Sequence, residues 1–527
     1  MLNIRNLCIV IIFIFYLLIG AYLAITNGIS HDQYHEQLNW IINFDAIKSL
    51  FNNDDGYQKL LNYKDKYHGI AFHYFAQPIQ FLTNNLIAKI NHVNIEYAQY
   101  ISKHLAVFLS FNIAGIFFYL LSIKLTDSKN FALITTSIFF VYPYLFGHAQ
   151  INGKDIPFLT LWLICTYYLF IIVENFYNDK KIIILNIILI SVFTALLISV
   201  RITGVLILLE YLIAIIILIN LKNMKPLKFF LKNSWFLLIF LTALTLLIYI
   251  LNPIFWHNPL EFFKSVSWMG KFYHDICTLT LGECMSSLNL SPSYYFIWFF
   301  FKLPILVLLG LLIYPLIESR LYNNGIKTIY YSTLILSLIS ILFIFILKDV
   351  ALYDEIRHIM FLIPMIFLVS LLNIFLLNKK LFYLMTIPCA LFFMVENFSI
   401  NPYQYTWLNS FAKTNKIDKT FEVDYWGISN KNLQKKIIEY TSSNSVNNEI
   451  CVYGDTYVRE FLVKSGFSCF KNYTELDSAK VRPLIAYQNV RNIKRSNPRD
   501  CMLIYEENYQ YTFSNQNIKV ANLWYCN

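Results

Sequence analysis

The stretch HDQYHEQLNW, residues 31–40, sets His31, Asp32, Tyr34, His35 and Glu36 within six residues, directly after an apolar run. A carboxylate at the edge of a membrane can take a proton from a hydroxyl. The plainer reading is that polar residues mark the exit of a membrane helix. His31 and His35 also have the i, i+4 spacing of metal ligands on a helix, but no third ligand stands at a recognisable distance, so no metal site is expected.

A second cluster interrupts an otherwise apolar region: GHAQINGKDIPF, with His148, Gln150, Asn152, Lys154 and Asp155. Asp155 suits an N-cap and Pro157 a first helical turn. Starting a helix, however, requires neither Lys154, nor Asn152, nor His148. A helix N-terminus with a lysine beside it favours an anion, such as a phosphate on a lipid carrier. Arg201, in LISVRITGVL, lies between two apolar runs, where an ionisable residue is a functional candidate; a snorkelling turn arginine is the alternative. KDVALYDEIRHIMFLIP then brings Lys348, Asp349, Tyr353, Asp354, Arg357 and His358 to the ends of two further runs. Arg357 can pair internally with Asp354 or hold a phosphate bidentately.

The elements that must position these groups are membrane helices. Of 527 residues, 57% are hydrophobic and 14% charged, against about 25% charged in soluble domains. Apolar runs of spanning length fall at 7–25, 105–123, 131–145, 156–173, 182–200, 203–221, 235–251, 295–313, 329–347, 358–377 and 381–398, predicting about eleven transmembrane helices. The first lacks a small-residue cleavage site and is expected to be a span rather than a signal peptide. Lysines crowd alternate short loops, among them Lys180, Lys181, Lys222, Lys225, Lys379 and Lys380. That bias puts the N-terminus in the cytoplasm and long, acidic loops at about 27–104 and 252–294 outside. The net charge of +10 therefore marks orientation, and no nucleic-acid partner is expected.

An odd number of spans leaves the tail outside as well. The expected layout is a membrane domain, 1–400, followed by a small extracytoplasmic α/β or α+β domain, 401–527. Its helical stretch is NKNLQKKIIEYTSS and its strand-like pieces include EICVYG and DCMLIYEE. Cys8, Cys165 and Cys389 fall in apolar runs. The other six cysteines lie outside, where an even number suggests disulfides: Cys277–Cys284 is the simplest pair, and Cys451, Cys469, Cys501 and Cys526 allow three connectivities.

GHAQINGKDIPF, YDEIRHIMFLIP, NPYQYTWLN and FEVDYWGISNKNL together resemble successive signatures of the bacterial protein O-mannosyltransferase-like group, glycosyltransferase family 39, in the C-type superfamily of polytopic glycosyltransferases. SVRITGVL and the region from NPIFWHNPLEF to FKLP match less sharply. The resemblance runs from Asp32 to about Leu433. It implies transfer of a sugar from a polyprenyl-phosphate donor to a protein, lipid or glycan acceptor on the outer face of a bacterial inner membrane, commonly with inversion and with no required cofactor. The family's catalytic acid usually stands in an Asp-Glu pair. Here Asp32 matches and is followed by Gln33, so Asp32 is implied as general base, with Glu36 as fallback. By the same resemblance Lys154, Arg201, Arg357 and His358 serve the lipid phosphate, while His148, Asn152, Asp155, Tyr353 and Asp354 orient them. The alternatives are a transporter or lipid flippase, and a non-catalytic partner in envelope assembly. A transporter should show interrupted helices paired near the bilayer midplane, whereas these polar clusters fall at the outer edges.

Overall fold

A computed structural model describes residues 4–527 except 53, 270–273, 322–324, 415, 445–448, 455–458, 480–481 and 490–497. The chain is mainly α-helical, and its long apolar helices make it an integral membrane protein. Among the described residues, eight helices have the length and composition to cross a membrane, or ten spans when each of two bent pairs is one span. The remaining expected segment, Ile184–Val200, is a helix of 17 residues. The bends have proline causes. Lys129–Val141 meets Pro143–Ile151 at 61°, and Ser293–Lys302 meets Ile305–Leu312 at 117° across Pro304, because proline offers no N–H to continue the ladder. Ser234–Leu251 buries only Leu244 among its described side chains, as a helix solvated on nearly all sides by lipid would.

The expected outer loop 27–104 is helical instead: His31–Asn52, Gly56–Asn62 and Ala71–Asn91, after which Ile95–Thr126 begins ten residues before the predicted start. Asn94 caps that last helix, its side chain accepting from the Tyr97 N–H at 2.7 Å. His31–Asn52 buries Gln33, Gln37, Asn39 and Asn43 and exposes Ile41, Phe44, Leu50 and Phe51. Its polar side is its inner side.

The second outer segment contains helix Glu261–Met269 and a hairpin of β1, Cys277–Thr280, and β2, Glu283–Ser286, clamped by the Cys277–Cys284 disulfide. The expected tail helix spans Asn430–Ser443. It packs on a mixed five-stranded sheet of β3, Cys451–Gly454; β4, Phe470–Asn472; β5, Leu484–Asn489; β6, Cys501–Tyr509; and β7, Ile518–Cys526. The strand order is β4-β3-β5-β7-β6. β3 runs parallel to β4 and β5, while β7 runs antiparallel to β5 and β6. Disulfides Cys451–Cys469 and Cys501–Cys526 settle the tail's connectivity.

One apolar core continues from the membrane helices into the tail, through Tyr405, Trp407, Phe421 and Trp426 to Tyr509 and Tyr511. The seam is held by polar anchors. Asn409 donates to the Leu303 carbonyl at 3.0 Å, and Lys431 reaches the Thr26 carbonyl at the end of the first helix. Cys165 and Cys389 are free, and the side chain of Cys8 lies outside the described residues. Alkylation of the denatured, unreduced protein is therefore expected to label at most Cys8, Cys165 and Cys389. Labelling at any of the six others by peptide mass spectrometry would break the assigned pairing.

Candidate active site

The polar inner side of His31–Asn52 faces a cavity of about 900 Å³. Its opposite walls are the break before Asp155–Tyr177, the turn at Arg201, the segment from Tyr353 to His358, and the β1–β2 hairpin. Of the residues singled out above, Asp32, His35, Glu36, Asn152, Lys154, Arg201, Tyr353, Asp354, Arg357 and His358 line it, while His31, Tyr34, His148, Gln150 and Asp155 do not. Lys348 and Asp349 are not among its lining residues.

GHAQINGKDIPF folds as the end of one helix and the start of the next. Gly147 lets the turn Gln404–Thr406 approach: a Cβ there would lie 2.2 Å from the Tyr405 nitrogen. Asp155 is not the N-cap. It is the first residue of Asp155–Tyr177, and the capping oxygen belongs to Asn152, which accepts from the N–H groups of Lys154 and Asp155 at 3.2 and 2.9 Å. The Asn152 amide donates to the Asp155 carboxylate at 2.8 Å and to His148 Nδ1 at 2.9 Å. His148 therefore carries its proton on Nε2 and donates to the Tyr425 hydroxyl at 3.3 Å. Both polar atoms of the Asn152 side chain are used. That releases Asp155 to accept from Arg201, at 2.5 Å.

Arg201 sits where the chain leaves helical geometry, with φ −144° and ψ 133°, between Ile184–Val200 and the short turn Ile202–Leu206. Arg357, at the mouth of the helix running to Leu377, is buried among three carboxylates. It donates to Asp32 at 2.7 Å, lies 3.2 Å from Asp354 and is 4.0 Å from Asp155. The expected pair with Asp354 is formed by one amino group, and the other donates to Asp32 at the cavity. Its guanidinium lies over Tyr353 and Trp426, 4.9 and 5.6 Å from their ring centres, and His358 packs edge-on against Tyr353. Burial pushes the Tyr353 phenol up to about 12, against the pull of Arg357. Among the described residues, the Nε–H groups of Arg201 and Arg357 have no hydrogen-bond partner.

The two candidate bases differ in access. Asp32, in the first turn of its helix, is 46% exposed. Glu36, one turn on, is 17% exposed and accepts from Lys154 at 2.9 Å. Burial raises the Glu36 carboxyl, but Lys154, Lys103 and His68 outweigh it and hold the group below its ordinary value. His68 also accepts from Lys154, at 3.3 Å on Nδ1. Burial, with Lys154 beside it, lowers His68 to about 4, so it is neutral at pH 7.

Lining residues that escape a reading of the sequence alone include Lys103, His68 and Trp268, and Trp426 joins them from the FEVDYWGISNKNL motif. Trp426 belongs to DYWG, whose Asp424 is buried and accepts from the Ile428 and Ser429 N–H groups at 2.8 and 3.2 Å and from the Asn489 amide at 2.9 Å. Asp424 therefore shapes the turn that carries Trp426 to the cavity. The adjoining Gly427, at φ +69°, leaves room for the His31 ring. Among the described residues, no group of three or more His, Cys, Asp or Glu side chains is arranged to hold a metal ion.

No family model and no curated protein matches this chain. Among solved structures it is similar to the crystal structure of ArnT from Cupriavidus metallidurans bound to undecaprenyl phosphate. The identity is 11% and the TM-score 0.44, over 98% of this chain and 97% of that one.

Proposed function

We propose that the chain is a C-type membrane glycosyltransferase, of the family 39 kind that its motifs resemble. It moves a sugar from a polyprenyl-phosphate donor to a hydroxyl acceptor, with Asp32 as general base. The observation that carries this reading is the Asp32–Arg357 pair: a half-exposed carboxylate and a buried guanidinium meet in one cavity. In the reaction the acceptor oxygen gives its proton to Asp32 and bonds to the anomeric carbon. The bond from that carbon to the phosphate oxygen breaks, and its electron pair leaves with polyprenyl phosphate. Arg357, Arg201 and Lys154 meet the charge that develops there, the kind of preorganised stabilisation that lowers such barriers most. A phosphate taking hydrogen bonds from Arg357 also leaves Asp32 freer to accept the proton, so donor binding prepares the base.

The site opens on the extracytoplasmic side in this reading. Support comes from the Cys277–Cys284 hairpin, which forms part of the cavity wall and needs an oxidising compartment to persist. Residues 1–400 are the membrane catalytic domain and 401–527 an outer domain that contributes Trp426. His358, Tyr353, Asp354, Asp155, Asn152 and His148 position the groups named above, and no cofactor takes part.

Purified protein in nanodiscs, offered a panel of polyprenyl-phosphate sugars, is expected to release free polyprenyl phosphate from at least one of them. Release from none, together with no binding of polyprenyl phosphate, would end the donor assignment.

A further inference from the structure

Helix His31–Asn52 presents Asp32 and Glu36 about one turn apart, ~6 Å along its axis, and each is taken by a cation from a different element. The two halves are not equivalent in charge. Around Asp32, Arg357 and Arg201 face Asp32, Asp155 and Asp354, three carboxylates for two cations. Around Glu36 the balance is reversed. Lys103 is 1% exposed, lines the same cavity and acts electrostatically on Glu36, as does Lys154.

Among the described residues no carboxylate lies within 4.0 Å of the Lys103 ammonium. Its hydrogen bond goes to Nε2 of His73, at 3.3 Å. Burial, with Lys103 beside it, holds His73 well below its ordinary value. A neutral imidazole accepts the bond and brings no counter-charge, and His68 on Lys154 brings none either. Among the described residues, the two buried or part-buried ammonium groups thus have one carboxylate within ion-pair distance, Glu36 on Lys154, while Asp65 also lines the cavity and acts electrostatically on His68. Buried charges are ordinarily paired. Gly153 keeps the wall open beside Lys103, since even a Cβ there would stand 3.7 Å from the Lys103 Cε.

From this imbalance we infer that Lys103, with Lys154 shared between the two sites, forms a second anion subsite, which takes a phosphate or carboxylate group besides the lipid phosphate held by Arg357 and Arg201. The inference rests on the donor reading above for the first anion only. The second can come from a diphosphate on the donor or from an anionic acceptor.

The test uses the full chain in nanodiscs of zwitterionic lipid, as wild type, Lys103→Met and the charge-keeping Lys103→Arg. The probes are undecaprenyl phosphate, undecaprenyl diphosphate and inorganic phosphate. If the donor supplies the second anion, wild type holds the diphosphate at least tenfold more tightly than the monophosphate; Lys103→Met erases that preference and Lys103→Arg keeps it. If the acceptor supplies it, the two lipids bind alike. Inorganic phosphate then binds wild type already saturated with undecaprenyl phosphate, and binds Lys103→Met at least tenfold more weakly. Phosphate binding that depends on Lys103 while neither lipid binds would uphold the subsite and overturn the lipid-donor reading instead. A wild type with neither a diphosphate preference nor phosphate binding overturns the subsite, and that result needs no variant to fold. Wild-type affinities for all three probes in a folded Lys103→Met overturn it equally.

Discussion

Asp32→Asn is expected to lower the turnover number by about 10² to 10⁴-fold, the usual contribution of a positioned general base, while polyprenyl phosphate binds as tightly as before or more tightly. The second half of that expectation comes from the ion pair. Asp32 holds Arg357 at 2.7 Å, so the carboxylate competes with any phosphate for the same guanidinium. Neutralising it removes the competitor without removing the cation. A merely structural aspartate would behave differently, because its loss would slacken Arg357 and weaken donor binding along with turnover. Equal turnover in the two proteins would take Asp32 out of the chemistry and move the search to Glu36. That residue is less accessible and is committed to Lys154, and for this reason it is the second choice.

The cavity's residues were legible to very different degrees. The spans could be read because lipid solvation leaves an unbroken apolar signal. The polar clusters stood out against it, since a charge within such a background has few structural reasons to be there. The helices of 27–104 were hidden by the same logic. His31–Asn52 buries glutamines and asparagines toward a polar cavity and exposes Ile41, Phe44 and Phe51, so its pattern opposes that of an ordinary amphipathic helix. Lys103 was lost with it. Once the helix is begun at Ile95 rather than at 105, Lys103 becomes an ionisable residue inside a spanning helix, and the rule that singled out Arg201 would have singled it out too. The Asp155 cap failed because a local rule ranks Asp and Asn almost equally at N-caps. Which one caps depends on Arg201, 46 residues away, drawing the carboxylate aside. The tail disulfides needed strand order, which four cysteines cannot supply.

Lys302→Met should be the most damaging change outside the cavity. Arg357 follows a turn in which Asp354 and Glu355 both have left-handed backbones, φ +54° and +68°, a conformation uncommon for residues with a Cβ and costly to hold. Three contacts enforce it. Thr278 Oγ1 accepts from the Asp354 N–H at 2.9 Å, the Tyr294 hydroxyl donates to the Glu355 carbonyl at 2.9 Å, and the Glu355 carboxylate pairs with Lys302 at 2.7 Å, both side chains being 0% exposed. At a pH where both groups are charged, breaking one side of a buried pair costs about 3–5 kcal/mol, because the remaining charge has no water to turn to. Thermal unfolding in detergent should show that loss, and donor affinity should fall with it as Arg357 slackens. Lys302→Met with Glu355→Gln, which removes both charges, is expected to recover most of the stability. The pH dependence has a definite sign. Burial pushes the Glu355 carboxyl up to about 8, against the pull of Lys302. The folded state therefore binds this proton more readily than the unfolded chain, and the group's contribution to stability falls as pH rises from the ordinary carboxylate value, about 4.5, through that raised value. Without Lys302 nothing opposes burial, so the deficit of Lys302→Met should be smaller at about pH 5 than at about pH 8. A variant as stable and as active as wild type at both would mean that Thr278 and Tyr294 hold the turn alone.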